Sequence, residues 1–231
     1  MNFSYGRGGN FLNSIPPVIK NIIIINVLVM IMTSLDNSDF MYENFALFYP
    51  TSPFFKPWQL VTHMFMHGGF WHIFFNMYTL YMFGVVLEKM WGTKKFLIFY
   101  FVTGLGAAAL HIFTQYIQVQ ILMSQFADGS VTAAQAIHAI KMTPTVGASG
   151  AIYGVLLGFA MLYPDTILSF IFPPVQVRAK WAMIIFAAIA LVLGVTGMGG
   201  GIAHFAHLGG MLFGWLLILY WKKKHRLYTN E

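Results

Sequence analysis

Six apolar stretches, each close to the length of a membrane-spanning helix, constrain the fold of this 231-residue chain more than any other feature. A helix needs about 20 apolar residues to cross the hydrocarbon core of a bilayer. We predict spans at residues 18–35, 72–90, 96–118, 145–163, 181–197 and 204–221. Only 9% of the residues are charged, against about 25% in soluble domains, so a soluble domain could not cover its surface. The sequence therefore predicts an all-α polytopic membrane protein with a six-transmembrane-helix bundle.

The predicted spans divide the chain into three segments. Residues 1–17 form a polar cytoplasmic segment, residues 18–221 the membrane domain, and residues 222–231 a basic cytoplasmic tail. The loop at residues 36–71 is rich in aromatic side chains, which favours a position in or on the outer leaflet. The loop at residues 119–144 could hold a short helix, and the glycine-rich residues 198–201 form a flexible connection.

The basic residues predict the orientation of these spans. Cytoplasmic loops of membrane proteins carry an excess of Lys and Arg. With the N-terminus in the cytoplasm, eleven of the thirteen Lys and Arg residues lie inside, and only Lys56 and Lys141 lie outside. An even number of spans returns the C-terminus to the cytoplasm as well. Topology and contact with lipid headgroups thus account for the net charge of +6, and nucleic-acid binding is not needed to explain it.

The chain contains no cysteine, which excludes disulfides, thiolate metal sites and cysteine nucleophiles. Its compactness and the lack of an evident transit peptide predict a bacterial plasma (inner) membrane.

Polar side chains in three of the spans are predicted to lie at one depth. His72 and Asn76 open the second span, Ser149 lies one turn into the fourth, and His204 and His207 open the sixth. All three spans begin on the outer side, and a rise of about 1.5 Å per residue puts each side chain within about 5–8 Å of that end. Polar and ionisable groups inside a bilayer are costly, so these residues are functional candidates.

A serine and a histidine at one depth are suited to acyl transfer. The Ser149 hydroxyl becomes a nucleophile when a base such as neutral His207 takes its proton. The resulting oxyanion needs donors, which His72 and Asn76, spaced i and i+4, could supply beside the backbone N–H groups of Ala148 and Ser149. No carboxylate is expected at this depth, so the sequence favours a dyad over a triad.

Glycines at every fourth residue follow both candidate catalytic residues. Gly150, Gly154 and Gly158 lie on the fourth span, and Gly210 and Gly214 on the sixth. This spacing lets helix backbones approach closely and would bring Ser149 near His207. The same spacing is also common in bundles that catalyse nothing.

Structural roles remain open for several of these residues. A serine in a membrane helix often bonds back to its own backbone, and His204 could serve as an interfacial cap. The cluster of His63, His67 and His72 lacks a carboxylate or thiolate ligand, so no metal is predicted. His111 is expected to pack or to form a hydrogen bond between helices. No cofactor is implied.

Three motifs in order along the chain resemble the rhomboid family of intramembrane serine proteases, over about residues 15–221. They are Gly147-Ala148-Ser149-Gly150, like Gly-x-Ser-Gly; His207 followed by Gly210 and Gly214, like His-x-x-Gly-x-x-x-Gly; and His67 followed by His72 and Asn76. The resemblance implies Ser149 as nucleophile, His207 as base, and His72 and Asn76 as donors to the oxyanion.

The resemblance also implies roles for residues outside these motifs. Tyr153 matches a ring that packs on the catalytic histidine, and Glu88 matches a carboxylate that ties cytoplasmic helix ends together. Substrates would be transmembrane proteins that approach beside the fifth span, with residues 198–201 as a mobile cap. One departure concerns the outer loop, where Trp58-Gln59 stands for the family's Trp-Arg; the loss of the guanidinium puts the bracing of this loop in question.

The sequence thus predicts an endopeptidase that hydrolyses peptide bonds of membrane proteins near the outer face, within the lipid bilayer. Two other classes of protein stay open. One is a silent relative that binds membrane clients, although such proteins typically lack the serine or the histidine. The other is a small transporter or channel, which would spread its polar residues through the depth of the bilayer.

Overall fold

The computed structural model describes residues 14–127, 130–170, 174–197 and 203–227, and these residues are mostly helical. The helices are α1 Pro17–Leu35, α2 Phe40–Phe45, α3 Gln59–Thr62, α4 Phe70–Thr79, α5 Val85–Trp91, α6 Thr93–Ala127, α7 Val131–Met142, α8 Ser149–Leu162, α9 Ala179–Thr196 and α10 Ala203–Lys223. A 3₁₀ turn, His63–Phe65, follows α3, and a π-helical turn, Leu80–Gly84, joins α4 to α5. The strands β1 Ile167–Phe170 and β2 Val175–Arg178 form an antiparallel hairpin.

Five of the predicted spans coincide with helices that are long and apolar enough to cross a membrane. They are Pro17–Leu35, Phe70–Trp91, Thr93–Gln125, Ala179–Thr196 and His204–Lys223. The predicted fourth span differs, because α8 has only 14 residues. At about 1.5 Å per residue it is about 21 Å long, which is shorter than a hydrocarbon core of about 30 Å.

The helix α8 begins later than the sequence predicted. Residues 145–148 are not helical, so Ser149 is the first residue of the helix and does not lie one turn into it. Thr145 instead forms a β-bridge with Leu47 of the outer loop. Gly147 has a φ of +131°, which prevents the helix from extending toward the N-terminus.

The helix α6 is the centre of the bundle and packs most extensively against α10 and α8. At the end of the bundle where α5 ends and α6 begins, rings from three elements form a buried cluster: Trp91 lies 4.9 Å from Phe99 and 5.5 Å from Trp221 between ring centroids. Aromatic pairs at this separation add to the stability that burial of their area supplies. The cluster therefore fixes α5, α6 and α10 relative to one another.

Glu88 joins the start of α1 to the end of α5. Its two carboxylate oxygens accept hydrogen bonds from the backbone N–H groups of Val18 and Ile19, both at 2.9 Å, and its side chain is buried. The first N–H groups of a helix have no partner within the helix, and a negative charge is favourable there. This geometry agrees with the bridging role that the family resemblance implied for Glu88.

Gln59 braces the outer loop from inside. Its Nε2 donates to the carbonyl oxygens of Glu43 (3.1 Å) and Phe54 (2.8 Å). Its Oε1 accepts from the backbone N–H groups of Lys56 (3.1 Å) and Phe48 (3.4 Å). The Gln59 side chain is completely buried, so it makes all four hydrogen bonds inside the folded loop. The neutral amide thus supplies bracing where the sequence departs from the family's arginine.

The hairpin of β1 and β2 was not predicted. At the base of the hairpin, Asp165 forms two ion pairs: its carboxylate lies 2.7 Å from Lys180 and 3.2 Å from Arg178. The hydrogen bond from Lys180, followed by the charges of both cations, holds the pKa of Asp165 below its usual range. A sequence signal existed, because short apolar-polar alternations flank Pro173-Pro174.

We predict that Gln59→Leu lowers the free energy of unfolding by more than about 3 kcal/mol, because each buried backbone group left unpaired costs about 1–3 kcal/mol. Gln176→Leu is the control, since Gln176 is exposed on β2. Thermal unfolding in detergent micelles measures both variants. Equal unfolding midpoints for Gln59→Leu and the wild type would contradict the bracing role.

Candidate active site

Ser149 and His207 form a hydrogen bond, with 2.9 Å between Ser149 Oγ and His207 Nε2. Ser149 begins α8, and His207 lies one turn into α10. Both side chains line a cavity of about 240 Å³, together with His72 and His204. The structure therefore brings together residues that are 58 positions apart in the sequence.

Close packing of two helix backbones produces this contact. A Cβ atom on Gly210 would lie 1.8 Å from the carbonyl oxygen of Gly150, and one on Gly214 would lie 3.4 Å from the Cα of Gly154. No side chain larger than hydrogen fits at Gly210 without moving backbone. Gly150 directly follows Ser149, and Gly210 lies one turn after His207, so the helix contact sets the distance between the two functional groups.

The non-helical segment before Ser149 is held from three directions. Leu47 and Thr145 exchange two backbone hydrogen bonds, of 2.8 and 2.9 Å. His111 on α6 bonds through Nε2 to Thr145 Oγ1 at 2.9 Å, and the N–H of Gly147 donates to the carbonyl oxygen of His63 at 2.9 Å. These contacts fix the approach of the chain to Ser149.

His72 presents a donor to the space beside the serine hydroxyl. Its Nδ1 accepts a hydrogen bond from the Gly68 N–H at 3.3 Å, so in the neutral ring the hydrogen lies on Nε2. A Cβ atom on Gly147 would lie 2.9 Å from His72 Nε2 and 3.6 Å from Ser149 Oγ. Both atoms therefore border the same small space, which the glycine leaves open.

Asn76 and Ala148 are buried and, unlike His72, are not among the described residues that line the cavity. Asn76 is buried one turn further along α4, and the described residues that line the cavity do not include it. Ala148 is fully buried at the N-cap position of α8, and no side chain caps this helix. The N–H groups of the first turn of α8 thus lack intrahelical acceptors at the positive end of the helix dipole.

Tyr153 stacks on His207, with 4.1 Å between ring centroids and 5° between ring planes. Within the described residues, His207 Nδ1 is buried and has no hydrogen-bond partner. The orientation of the imidazole thus depends on the stacked ring and on Ser149, with no carboxylate bonded to Nδ1 among those residues. His204 meets the same imidazole edge-on at 5.8 Å.

Of two histidines in the outer loop, His63 lines this cavity and His67 packs on His72. His63 Nδ1 donates to the carbonyl oxygen of Gln59 at 2.8 Å, and the His67 ring meets the His72 ring edge-on at 4.9 Å. Burial lowers the pKa of His63 and of His67 to about 4. Across the ranges of the chain that the structure describes, no group of three or more His, Asp or Glu residues could hold a metal ion.

The sequence had no signal for some contacts of the site. Leu47 supports the segment before Ser149 through backbone atoms alone, and nothing in its side chain indicates this. His111 was expected to pack or to form a hydrogen bond between helices, and its partner Thr145, which lies outside any helix, was not predicted. The predicted cap at residues 198–201 lies outside the described residues.

Comparison with known proteins places the chain in one protein family. The sequence model of the Rhomboid domain matches residues 55–224. The chain is 29% identical over 174 residues to rhomboid protease AarA of Providencia stuartii, a match that covers 74% of this chain and 58% of that protein. It is 28% identical over 175 residues to the putative rhomboid protease YdcA of Bacillus subtilis, covering 74% and 71%.

A further relative is the mitochondrial rhomboid protein 1 of Saccharomyces cerevisiae, with 29% identity over 164 residues, 69% of this chain and 41% of that protein. The chain thus spans somewhat more than half the length of AarA and less than half that of the yeast protein.

We predict that Gly210→Ala destabilises the protein by about 3 kcal/mol or more, the upper end for overpacking, because its Cβ would meet a backbone carbonyl that cannot yield. Gly158→Ala is the matched control, since its Cβ would meet only side-chain atoms at 3.2–3.3 Å. Thermal unfolding in detergent compares the two variants. A Gly210→Ala protein as stable as Gly158→Ala would contradict the close helix contact.

Proposed function

This chain belongs to the rhomboid family, and on that premise we propose that it is an intramembrane serine endopeptidase that hydrolyses peptide bonds in or near transmembrane segments of other membrane proteins. The observation that carries the proposal is the hydrogen bond of 2.9 Å between Ser149 Oγ and His207 Nε2. A hydroxyl at this distance from a neutral imidazole can transfer its proton as it attacks a carbonyl carbon.

The proposed reaction has two halves. Ser149 Oγ bonds to the carbonyl carbon of the scissile peptide while His207 Nε2 takes the hydroxyl proton. The tetrahedral intermediate then breaks its C–N bond, and His207 returns the proton to the leaving amine. Water hydrolyses the remaining acyl-serine by the same transfers in reverse order, which regenerates the Ser149 hydroxyl.

Donors around the serine suit the oxyanion of this intermediate. The first-turn N–H groups of α8, among them that of Ser149, and the Nε2–H of His72 border the space beside the hydroxyl. Gly147 leaves that space open, and Ala148 buries the helix start. The family resemblance adds the amide of Asn76 as a further proposed donor to the oxyanion, and Tyr153 holds the plane of His207 by stacking.

The proposed depth of the dyad follows from the length of α8. We take α8 as a sixth membrane helix that starts below the outer surface, since its 14 residues are too few to span the core. The distribution of Lys and Arg supports cytoplasmic N- and C-termini. Matches to bacterial proteins such as AarA and YdcA are compatible with a bacterial inner membrane.

The substrate must present an extended segment to Ser149. A peptide carbonyl within a membrane helix is bonded to an N–H one turn away, so the substrate helix has to unwind locally before attack. In lipid the freed backbone groups need partners, and a polar cavity within the protein supplies them. No cofactor takes part in this scheme.

Cleavage of a tagged transmembrane reporter in liposomes tests the proposal. Wild-type protein is expected to release a fragment, whereas Ser149→Ala and His207→Ala lower the rate at least about a thousandfold, because both groups act in one proton transfer. Ser124→Ala is the control, since Ser124 is exposed on α6 and its hydroxyl donates to the Ile121 carbonyl oxygen of its own helix.

Two outcomes would contradict the proposal. Cleavage that persists in Ser149→Ala would exclude this serine as nucleophile. A wild-type protein that binds the reporter without cutting it would identify a silent relative.

A further inference from the structure

A second cavity runs along the bundle between α8, α9 and α10, and its volume is about 470 Å³. On α9 its lining consists of Lys180, Met183, Ile184 and Ala187, and α8 and α10 repeat the same spacing, starting from Leu157 and from Leu208. Residues spaced i, i+3, i+4 and i+7 form one stripe along a helix face. Three such stripes therefore enclose the cavity, which we call the three-helix groove.

The three-helix groove has a buried floor and an exposed rim. Met183 and Met211 are buried, whereas Ile184, Leu212 and Trp215 are 57%, 43% and 45% exposed. Within a bilayer, a concave apolar surface gains dispersion contacts only if a hydrocarbon chain fills it. Unbranched methionine side chains adapt their shape to such an irregular ligand. The lining is thus suited to the acyl chain of a lipid.

The charge of the groove is confined to one end. Of the described residues that line it, Lys180 alone is charged. Its Nζ lies 2.7 Å from Asp165 Oδ1, and Arg178 Nη1 lies 3.2 Å from the same oxygen. Two cations therefore share one carboxylate, and one positive charge remains in excess. An ammonium group has three donors, so Lys180 can donate to a second anion while it is paired with Asp165.

The stripe of α10 leads to a further cation at the same end. Lys222 is exposed and lies seven residues, about two turns, after Trp215, so the two side chains lie on nearly the same face of α10. The helices α9 and α10 run in opposite directions, because Gly194 near the end of α9 lies against Phe205 near the start of α10. The last turn of α10 is therefore at the end of the groove where Lys180 begins α9.

We propose that the three-helix groove binds one anionic phospholipid, whose acyl chain lies on the apolar lining and whose phosphate contacts Lys180. Arg178 and Lys222 add positive charge around the headgroup, which attracts an anionic lipid more than a zwitterionic one. A second copy of this chain is disfavoured as the occupant, because copies side by side in one membrane bring their basic ends together. The inference goes beyond the proposed function and does not depend on catalysis.

Native mass spectrometry of the purified protein in detergent tests the inference. It measures the dissociation constants of phosphatidylglycerol and of phosphatidylcholine that carry the same acyl chains. The wild type is expected to bind one phosphatidylglycerol about tenfold or more tightly than phosphatidylcholine, because each nearby Lys or Arg attracts the anionic headgroup. The ratio of the two dissociation constants is the headgroup preference.

Three variants address the headgroup contact. Lys180→Gln is expected to lower the headgroup preference about fivefold. Asp165→Asn is expected to raise it, because this variant removes the carboxylate that competes for Lys180 and Arg178. Both variants break the same ion pair, so the opposite signs separate lipid binding from a structural role of that pair. Lys94→Gln is the control for net charge and leaves the preference unchanged, since Lys94 is exposed at the start of α6 and does not line the groove.

Two further variants address the acyl-chain contact. Ala187→Phe places a ring in the groove and is expected to weaken the binding of both lipids about fivefold or more, because several methylene groups lose their packing contacts. Ala188→Phe is the matched control, since Ala188 is exposed and is not part of the lining. Thermal unfolding in detergent without added lipid establishes that each variant is folded.

Equal affinity of the wild type for the two lipids would overturn the inference. So would an equal loss of headgroup preference in Lys94→Gln and Lys180→Gln, which indicates a general effect of surface charge, or equal lipid affinity in Ala187→Phe and Ala188→Phe. A wild-type dimer without bound lipid that Ala187→Phe dissociates would also overturn it, because the groove would then bind a second copy of the chain.

Discussion

The contact between Gly150 and Gly210 is the constraint on which the geometry of the site depends. A Cβ atom on Gly210 would lie 1.8 Å from the carbonyl oxygen of Gly150, so α8 and α10 meet backbone to backbone. In a membrane, the exclusion of water contributes little to the association of helices. Close packing of small residues stabilises the helix contact instead. Because Ser149 and His207 lie at one end of this contact, the packing of the two helices also fixes the hydrogen bond between them.

In the proposed function, the short α8 accounts for a serine that acts below the membrane surface. The helix starts at Ser149, so the chain before it enters the protein without helical hydrogen bonds. Backbone without such bonds is tolerated at this depth only where protein supplies the partners. Leu47 and His63 do so for the backbone of Thr145 and Gly147, and His111 bonds the Thr145 hydroxyl. The same arrangement leaves the first N–H groups of α8 free for a reacting oxyanion.

The sequence predicted that Ser149, His207 and His72 lie close together. In a membrane-spanning helix the position along the chain gives the depth in the bilayer, and side chains at equal depth can meet. Sequence reasoning failed where structure depends on contacts distant in sequence. The start of α8 is set by a bridge to Leu47, and neither residue of that bridge carries a signal. Gln59 in place of the family's arginine put the bracing of the outer loop in question, yet a buried amide satisfies backbone groups that only the folded loop brings together. The hairpin of β1 and β2 was missed because each strand has four residues.

Chemical labelling of Ser149 tests the central claim, that a serine and a histidine act here as a pair without an acid. Wild-type protein and His207→Ala are exposed to a fluorophosphonate in liposomes, and the adduct is located by mass spectrometry. The account predicts one adduct, on Ser149, that forms at least about a hundredfold more slowly in His207→Ala, because a general base contributes that much or more. An adduct on another residue, or equal rates in the two proteins, would contradict it.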